Sequence, residues 1–249
     1  MSSGLVVFDL DGTLAESKSK VDEQTVLLLE KLLEKHRVAI ISGGALTQFH
    51  HQLLSHLTPS NFKLVHLYLM PLSGSELYEY LENEWRLVHS SSLSAEEKTA
   101  IVDAIHKSLS EVSFALLPEH YGERIEDRGA QITFSALGQE APLSVKLNWD
   151  PDKKKRLEFA RALQKHLPDF EVHVGGSTSV DVTRKGINKA SSLVALCERV
   201  GVNLKDVLYV GDDLFPDGND YIVKSLGINT KQVSGPAETR DIIRQLLVY

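Results

Sequence analysis

The sequence predicts an α/β protein in two parts: a parallel sheet flanked by helices, and an inserted α+β domain built on an antiparallel sheet. Three observations carry this reading. Short apolar runs with no polar break, Leu5-Val6-Val7-Phe8, Val38-Ala39-Ile40-Ile41 and Val207-Leu208-Tyr209-Val210, suit strands buried on both faces. Helical apolar spacing separates the first two runs, as a right-handed β-α-β crossover requires. Between about His89 and Arg184 the strands instead alternate polar and apolar residues, the pattern of a sheet with one wet face.

Taken in order, the first strand stops where Asp9, Asp11 and the Gly12-Thr13 pair replace strand formers, so both carboxylates emerge at its C-terminal edge. Open α/β sheets bind their ligands at that edge. Asp22 can cap a helix carrying Leu28, Leu29, Leu32 and Leu33 at helical spacing. The second strand ends at Ser42-Gly43-Gly44, a helix covers about Leu46 to Leu57, and Leu64 to Met70 reads as a third strand broken by Ser73-Gly74. In the inserted block, strands are expected at Gln131–Phe134, Val145–Asn148, Glu171–Val174 and Ser179–Val182. Ser94 to Glu97 reads as a capping box, and Asp150-Pro151 as an N-cap followed by proline at the first helical position. From Lys185 the α/β pattern resumes with a helix over Lys189–Val200, the strand at 207–210, the acidic run Gly211-Asp212-Asp213, a short helix, and a last helix over Pro236–Leu247. The expected divisions are residues 1–88 and 185–249 for the core, and 89–184 for the insertion.

Bulk properties narrow the function. The 249 residues carry 27 basic and 34 acidic side chains, a net charge of −7, which favours neither nucleic acid nor an anionic membrane as partner. Cys197 is the single cysteine, so neither an internal disulfide nor a cysteine-bound zinc cluster can form, and its apolar neighbours mark it as a core thiol. No run approaches the roughly 18 apolar residues of a membrane span, and no basic segment followed by a long apolar one opens the chain. The cytoplasm is the expected compartment.

Four fragments set polar groups just after a strand or at a helix start: DLDGT at 9–13, IISGG at 40–44, GINK at 186–189 and GDDLFPDGND at 211–220. Singly, Ser42 is a turn residue and Lys189 a solvated helix start; in series they resemble the four motifs of the haloacid dehalogenase superfamily of phosphotransferases. The resemblance implies a Rossmann-like core with a parallel sheet, and an aspartyl-phosphate chemistry. Asp9 is the implied nucleophile, and Asp11 the group that gives and takes the proton. Mg²⁺, a hard cation suited to oxygen ligands, would lie on Asp9, the main chain of Asp11, and Asp212, with Asp220 the favoured further acid and Asp213 and Asn219 supporting from behind. Ser42, Gly43 and Lys189 would hold the phosphoryl oxygens.

The position of the insertion is similar to the type IIB cap, an α+β domain on an antiparallel sheet. The stretches GGSTSVDVTRKGINKASSL, PDGND and SGPAETRDII resemble eukaryotic-type phosphomannomutases. That likeness maps sugar-contacting roles onto Ser179 and Asp181, and a distal-phosphate role onto Arg128. It also exposes departures. Lys18 and Gln139 stand where that family has arginines, and a third arginine has no match in EAPLSVKLNWD. Arginine grips phosphate bidentately and lysine only as a point charge. The expectation is therefore a Mg²⁺-dependent phosphatase of a sugar phosphate or similar small phosphorylated metabolite, acting as a monomer or homodimer. The alternatives are a phosphomannomutase in which Lys18 and Lys146 replace arginines, and a non-catalytic phosphosugar-binding protein.

Overall fold

The computed structural model describes residues 4–57 and 61–248. The chain divides into two compact units, Met1–Ser90 with Asn188–Tyr249, and Ser91–Ile187. The expected insertion ran from 89 to 184.

In the first unit β1 (Leu5–Asp9) leads through α1 (Glu23–Leu32) to β2 (Arg37–Ile41), then through α2 (Leu46–Gln52) and the one-turn α3 (Asn61–Leu64) to β3 (Leu67–Met70). Asp22 caps α1 as expected, its carboxylate accepting from the Thr25 amide at 3.0 Å. The helix expected over 46–57 is shorter: α2 ends at Gln52, and a 3-10 turn covers Leu54–His56. The third strand begins at Leu67 rather than Leu64. A hairpin of β4 (Glu76–Leu81) and β5 (Glu84–Ser90) then extends the sheet antiparallel beyond β3.

In the second unit α4 (Ala95–Leu109) starts with the expected capping box at Ser94 and Glu97. The strands β6 (Ile125–Asp127) and β7 (Ile132–Ser135) follow, then α5 (Leu143–Trp149), α6 (Lys154–His166), β8 (Phe170–Gly175) and β9 (Ser179–Arg184). They form one antiparallel sheet in the order β6-β7-β9-β8. Two expectations fail here. Residues 145–148 are helical, not a strand, and their alternation runs backwards: Leu147 is 54% exposed whereas Lys146 is 6% exposed. The turn begins at Pro142, whose carbonyl accepts from the amides of Val145 and Lys146, and the Lys146 ammonium is drawn inward to the Gln139 carbonyl at 2.9 Å. Nor is Pro151 the first helical residue. Lys153 sits at φ +60°, α6 begins after it, and Asp150 caps from further back. Its carboxylate accepts from the amides of Lys155 and Arg156 and pairs with the buried Arg156 guanidinium at 2.8 Å. A buried guanidinium needs a charged partner, and that need sets the loop.

The chain returns to the first unit with α7 (Lys189–Val200), β10 (Val207–Gly211), the polar edge strand β11 (Asn229–Gln232) and α8 (Pro236–Val248). The sheet order is β11-β10-β1-β2-β3-β4-β5, with β1, β2, β3, β10 and β11 parallel. Alternate residues of β1 feed two cores. Val6 and Phe8 pack with Leu29, Phe49 and Ile243 on one face, and Leu5 and Val7 with Leu193, Leu196 and Cys197 on the other. Cys197 is buried there, which pushes its thiol up to about 11. The second unit has its own core, in which Ile132, Phe134, Val180 and Val182 meet Ile101, Ile105, Phe159 and Leu163. No helix among the described residues is long and apolar enough to cross a membrane.

Candidate active site

Parallel pairing puts the ends of three strands side by side. Asp9 ends β1 opposite Ile41 of β2, so Ser42 follows directly, and Gly211 ends β10 just before Asp212. Lys189 enters from the first position of α7, behind Asn188, whose side chain accepts from the Ala190 and Ser191 amides.

The Lys189 ammonium lies 2.6 Å from Asp9 Oδ1 and 2.7 Å from Asp220 Oδ1, with all three side chains at most 5% exposed. Asp220 is further held by the Tyr209 hydroxyl, which donates to Oδ1 at 2.5 Å, and by the Asp213 amide, which donates to Oδ2 at 3.3 Å. Asn219 accepts from Lys189 at 3.5 Å, and the Asn219 amide donates to Asp213. The nucleophile loop is tied to Asp212 by Thr13, whose hydroxyl donates to Oδ1 at 3.2 Å. Gly12, at φ +81°, makes that approach possible, since a Cβ there would overlap the Asp212 carboxylate.

Carboxylate oxygens of Asp9, Asp212 and Asp220 all lie within 4.8 Å of one another. Three carboxylates against one ammonium leave two negative charges in a largely buried space, which one divalent cation would balance. The titrations carry the same message. Burial, then Asp220 and Asp212, push Asp9 well above the ordinary carboxylate range against the opposing pull of Lys189. Burial, then Asp220 and Asp213, push Asp212 up to about 6. Burial works against the charge of Lys189, but Asp220 and Asp9 outweigh it and hold the ammonium protonated. The donor set, all oxygen and acidic, fits a hard cation such as Mg²⁺. Within it Asp220 is the least available, because each of its oxygens already accepts a hydrogen bond.

Asp11 stands apart from this cluster. Its carboxylate turns toward α2 and accepts from Gln48 Nε2, Gln52 Nε2 and the main-chain amide of Lys18. Lys18 reaches the site through that amide, and the residue itself is exposed. Ser42 is buried, and its hydroxyl accepts from the Gly44 amide at 3.2 Å.

The remaining candidates belong to the second unit. Thr133 and Asp181 are register partners on the sheet face opposite its apolar core, with Ser179 two residues along β9 on the same face. A series of hydrogen bonds runs along this face without Ser179: Gln131 donates to Thr133, which donates to Asp181 at 2.7 Å. Arg128 gives both Nε and Nη2 to Glu126, and its Nη2 also approaches Gln139 Oε1 at 3.5 Å. With Lys146 on the Gln139 carbonyl, the structure brings together Arg128, Gln139 and Lys146, which are eighteen residues apart in sequence at most.

Reading the sequence missed Thr13, Tyr209, Gln48 and Gln52. Thr13 was visible inside the DLDGT motif, and the two glutamines through their spacing of four on the helix after Ser42. Tyr209 offered no signal beyond one more apolar strand residue.

Residues 6–221 match the family described as haloacid dehalogenase-like hydrolase. The chain is 26% identical to a phosphomannomutase of Encephalitozoon cuniculi over 98% of its own length and 93% of that protein. It is 28% identical to a phosphomannomutase of Saccharomyces cerevisiae, covering 97% and 93%. Among solved structures, an IMP-bound IMP-nucleotidase of Plasmodium falciparum superposes with a TM-score of 0.75 at 18% identity, over 99% of this chain and 67% of that one. A haloacid dehalogenase-like hydrolase of Bacteroides thetaiotaomicron gives 0.64 at 17% identity, covering 98% and 100%. At these identities the two structures speak for the fold alone.

Proposed function

Because the chain belongs to the haloacid dehalogenase-like hydrolases, we propose that it moves phosphoryl groups on a hexose phosphate through an aspartyl phosphate at Asp9, as a phosphomannomutase-type enzyme. The observation that carries the transfer chemistry is the buried Asp9 carboxylate, fixed at 2.6 Å by an ammonium that Asp220 holds from its other side. Asp9 attacks phosphorus while Lys189, Ser42 and Gly43 bind the oxygens on which charge develops. Asp11 hands a proton to the leaving oxygen and later takes one from the incoming hydroxyl. Magnesium, held by Asp9, Asp212 and the main chain of Asp11, would supply neutralising charge for the phosphoryl group.

Relatives that match this chain over nearly its whole length, cap included, are named phosphomannomutase, and they favour isomerisation over the simple phosphatase expected from the missing arginines. The positive charge that Arg128 and Lys146 gather around Gln139 in the second unit supports this reading, although both side chains are already engaged, Arg128 by Glu126 and Lys146 by the Gln139 carbonyl. The phosphatase remains the second reading for one reason, the neutral amide of Gln139 beside Arg128. Phosphorus NMR of mannose 1-phosphate with catalytic hexose 1,6-bisphosphate separates the two. Mannose 6-phosphate forming faster than inorganic phosphate, and only with the bisphosphate, is the expected result; phosphate release alone would leave the phosphatase. Asp9→Asn must abolish both products.

A further inference from the structure

We propose that Gln48 and Gln52 are positioning residues for Asp11, a pair of amides one helical turn apart that hold the carboxylate by both of its oxygens. This rests on reading Asp11 as the proton carrier and adds the machinery that places it. Gln48 Nε2 donates to Oδ2 at 2.7 Å and Gln52 Nε2 to Oδ1 at 3.1 Å, while the Lys18 amide donates to Oδ1 at 2.6 Å. All three are N–H donors and none is an acceptor, so each can keep its bond while negative charge develops on the carboxylate.

Two features argue against a merely structural role. Gln52 is 1% exposed, and its Oε1 is buried without a hydrogen-bond partner, a cost that an apolar side chain at the same helical position would not carry. Gly44 leaves room for Gln48 in this conformation, since a Cβ at residue 44 would overlap the Gln48 amide oxygen and require that side chain to shift. Gln52 also donates to the Ser19 carbonyl at 2.7 Å and so fixes the turn that carries Lys18.

The chemistry follows from the donors. In the first half-reaction the bond from Asp9 to phosphorus forms as the bond from phosphorus to the leaving oxygen breaks, and the Asp11 proton passes to that oxygen. The carboxylate left behind is received by three N–H groups already aimed at it. In the return step an incoming hydroxyl gives its proton to the same carboxylate as its oxygen binds phosphorus and Asp9 is released. Loss of the amides should therefore hurt only when the leaving oxygen needs a proton.

The test is turnover of p-nitrophenyl phosphate, whose leaving group departs unaided, against phenyl phosphate, whose leaving group does not. Gln48→Glu and Gln52→Leu are expected to cut the phenyl phosphate rate by about tenfold or more beyond any fall on p-nitrophenyl phosphate, within the range general acid catalysis supplies. Gln48→Lys, which keeps an N–H donor, should restore the ratio to within about threefold of the parent. Equal falls on both substrates, or Gln48→Lys behaving like Gln48→Glu, would overturn the proposal. Asp11→Asn is measured alongside. If it lacks leaving-group selectivity, the reading of Asp11 fails and the inference with it; if it is selective while the glutamine variants are not, the inference alone fails.

Discussion

Replacing Lys189 with methionine, which keeps most of the side-chain volume, removes the one ammonium among three acids. Its Nζ makes two ion pairs, of 2.6 Å to Asp9 and 2.7 Å to Asp220, between side chains that are at most 5% exposed. Breaking a buried ion pair from one side costs about 3–5 kcal/mol, because the partner charges stay behind uncompensated. For a protein of this size each kcal/mol moves the melting temperature by about 2–4 °C, so Lys189→Met should melt roughly 6–20 °C lower at neutral pH in a chelator. Adding Asp220→Asn should return part of that loss. The amide still accepts from Tyr209, and one of the stranded charges is gone. The double-mutant cycle, by thermal melts or urea unfolding, thus has a predicted sign: the two changes together cost less than their sum. A Lys189→Met protein within about 0.5 kcal/mol of the parent, or strictly additive losses, would refute the charge balance argued for the site.

Two further outcomes follow from the same cluster. Asp212 is raised from the usual 3.8 to about 6, so the folded state binds the extra proton between those values, and stability falls as pH rises through that window. Asp212→Asn should therefore stabilise the cation-free protein by up to about 3 kcal/mol at pH 7.5 and have little effect at pH 4, read as melting shifts in a chelator; an equal shift at both would dismiss the titration. Tyr209→Phe removes one donor to a charged acceptor, worth about 1.5–3 kcal/mol, and leaves the ring packed. A melt unchanged from the parent would mean that the phenol does not hold Asp220.

The parts of this site that were legible in the sequence are those where chemistry coincides with a break in pattern. Asp9, Ser42 and Asp212 each follow an unbroken apolar run, and Lys189 stands at a helix start in the motif GINK, so strand ends, a helix start and the series of motifs located them. What escaped notice lies inside regular elements. The value of Tyr209 depends on which side of β10 faces the acids, and nothing in Val207-Leu208-Tyr209-Val210 tells that. Gln48 and Gln52 are ordinary helix residues until Asp11 turns toward them. Lys146 was misplaced because four alternating residues fit a strand and a helical turn equally well, and the deciding partner, the Gln139 carbonyl, is not encoded locally. The strand β11, Asn-Thr-Lys-Gln, carries no apolar signal at all, as befits an edge guarded by polar side chains.

The first strand, an interior strand of the larger sheet, also dictates when the protein can finish folding. Leu5 of β1 pairs with Val207 of β10, about 200 residues later, and the Thr239 hydroxyl reaches the Thr13 carbonyl from the last helix. At about 5–20 residues per second, β1 leaves the ribosome roughly 10–40 s before the neighbour that completes it. Residues 91–187, by contrast, form a compact unit from one uninterrupted stretch of chain. During synthesis that stretch can organise itself while the first strands wait with an apolar edge unpaired, a template for association with other nascent chains. Truncation anywhere before β10 makes that waiting state permanent.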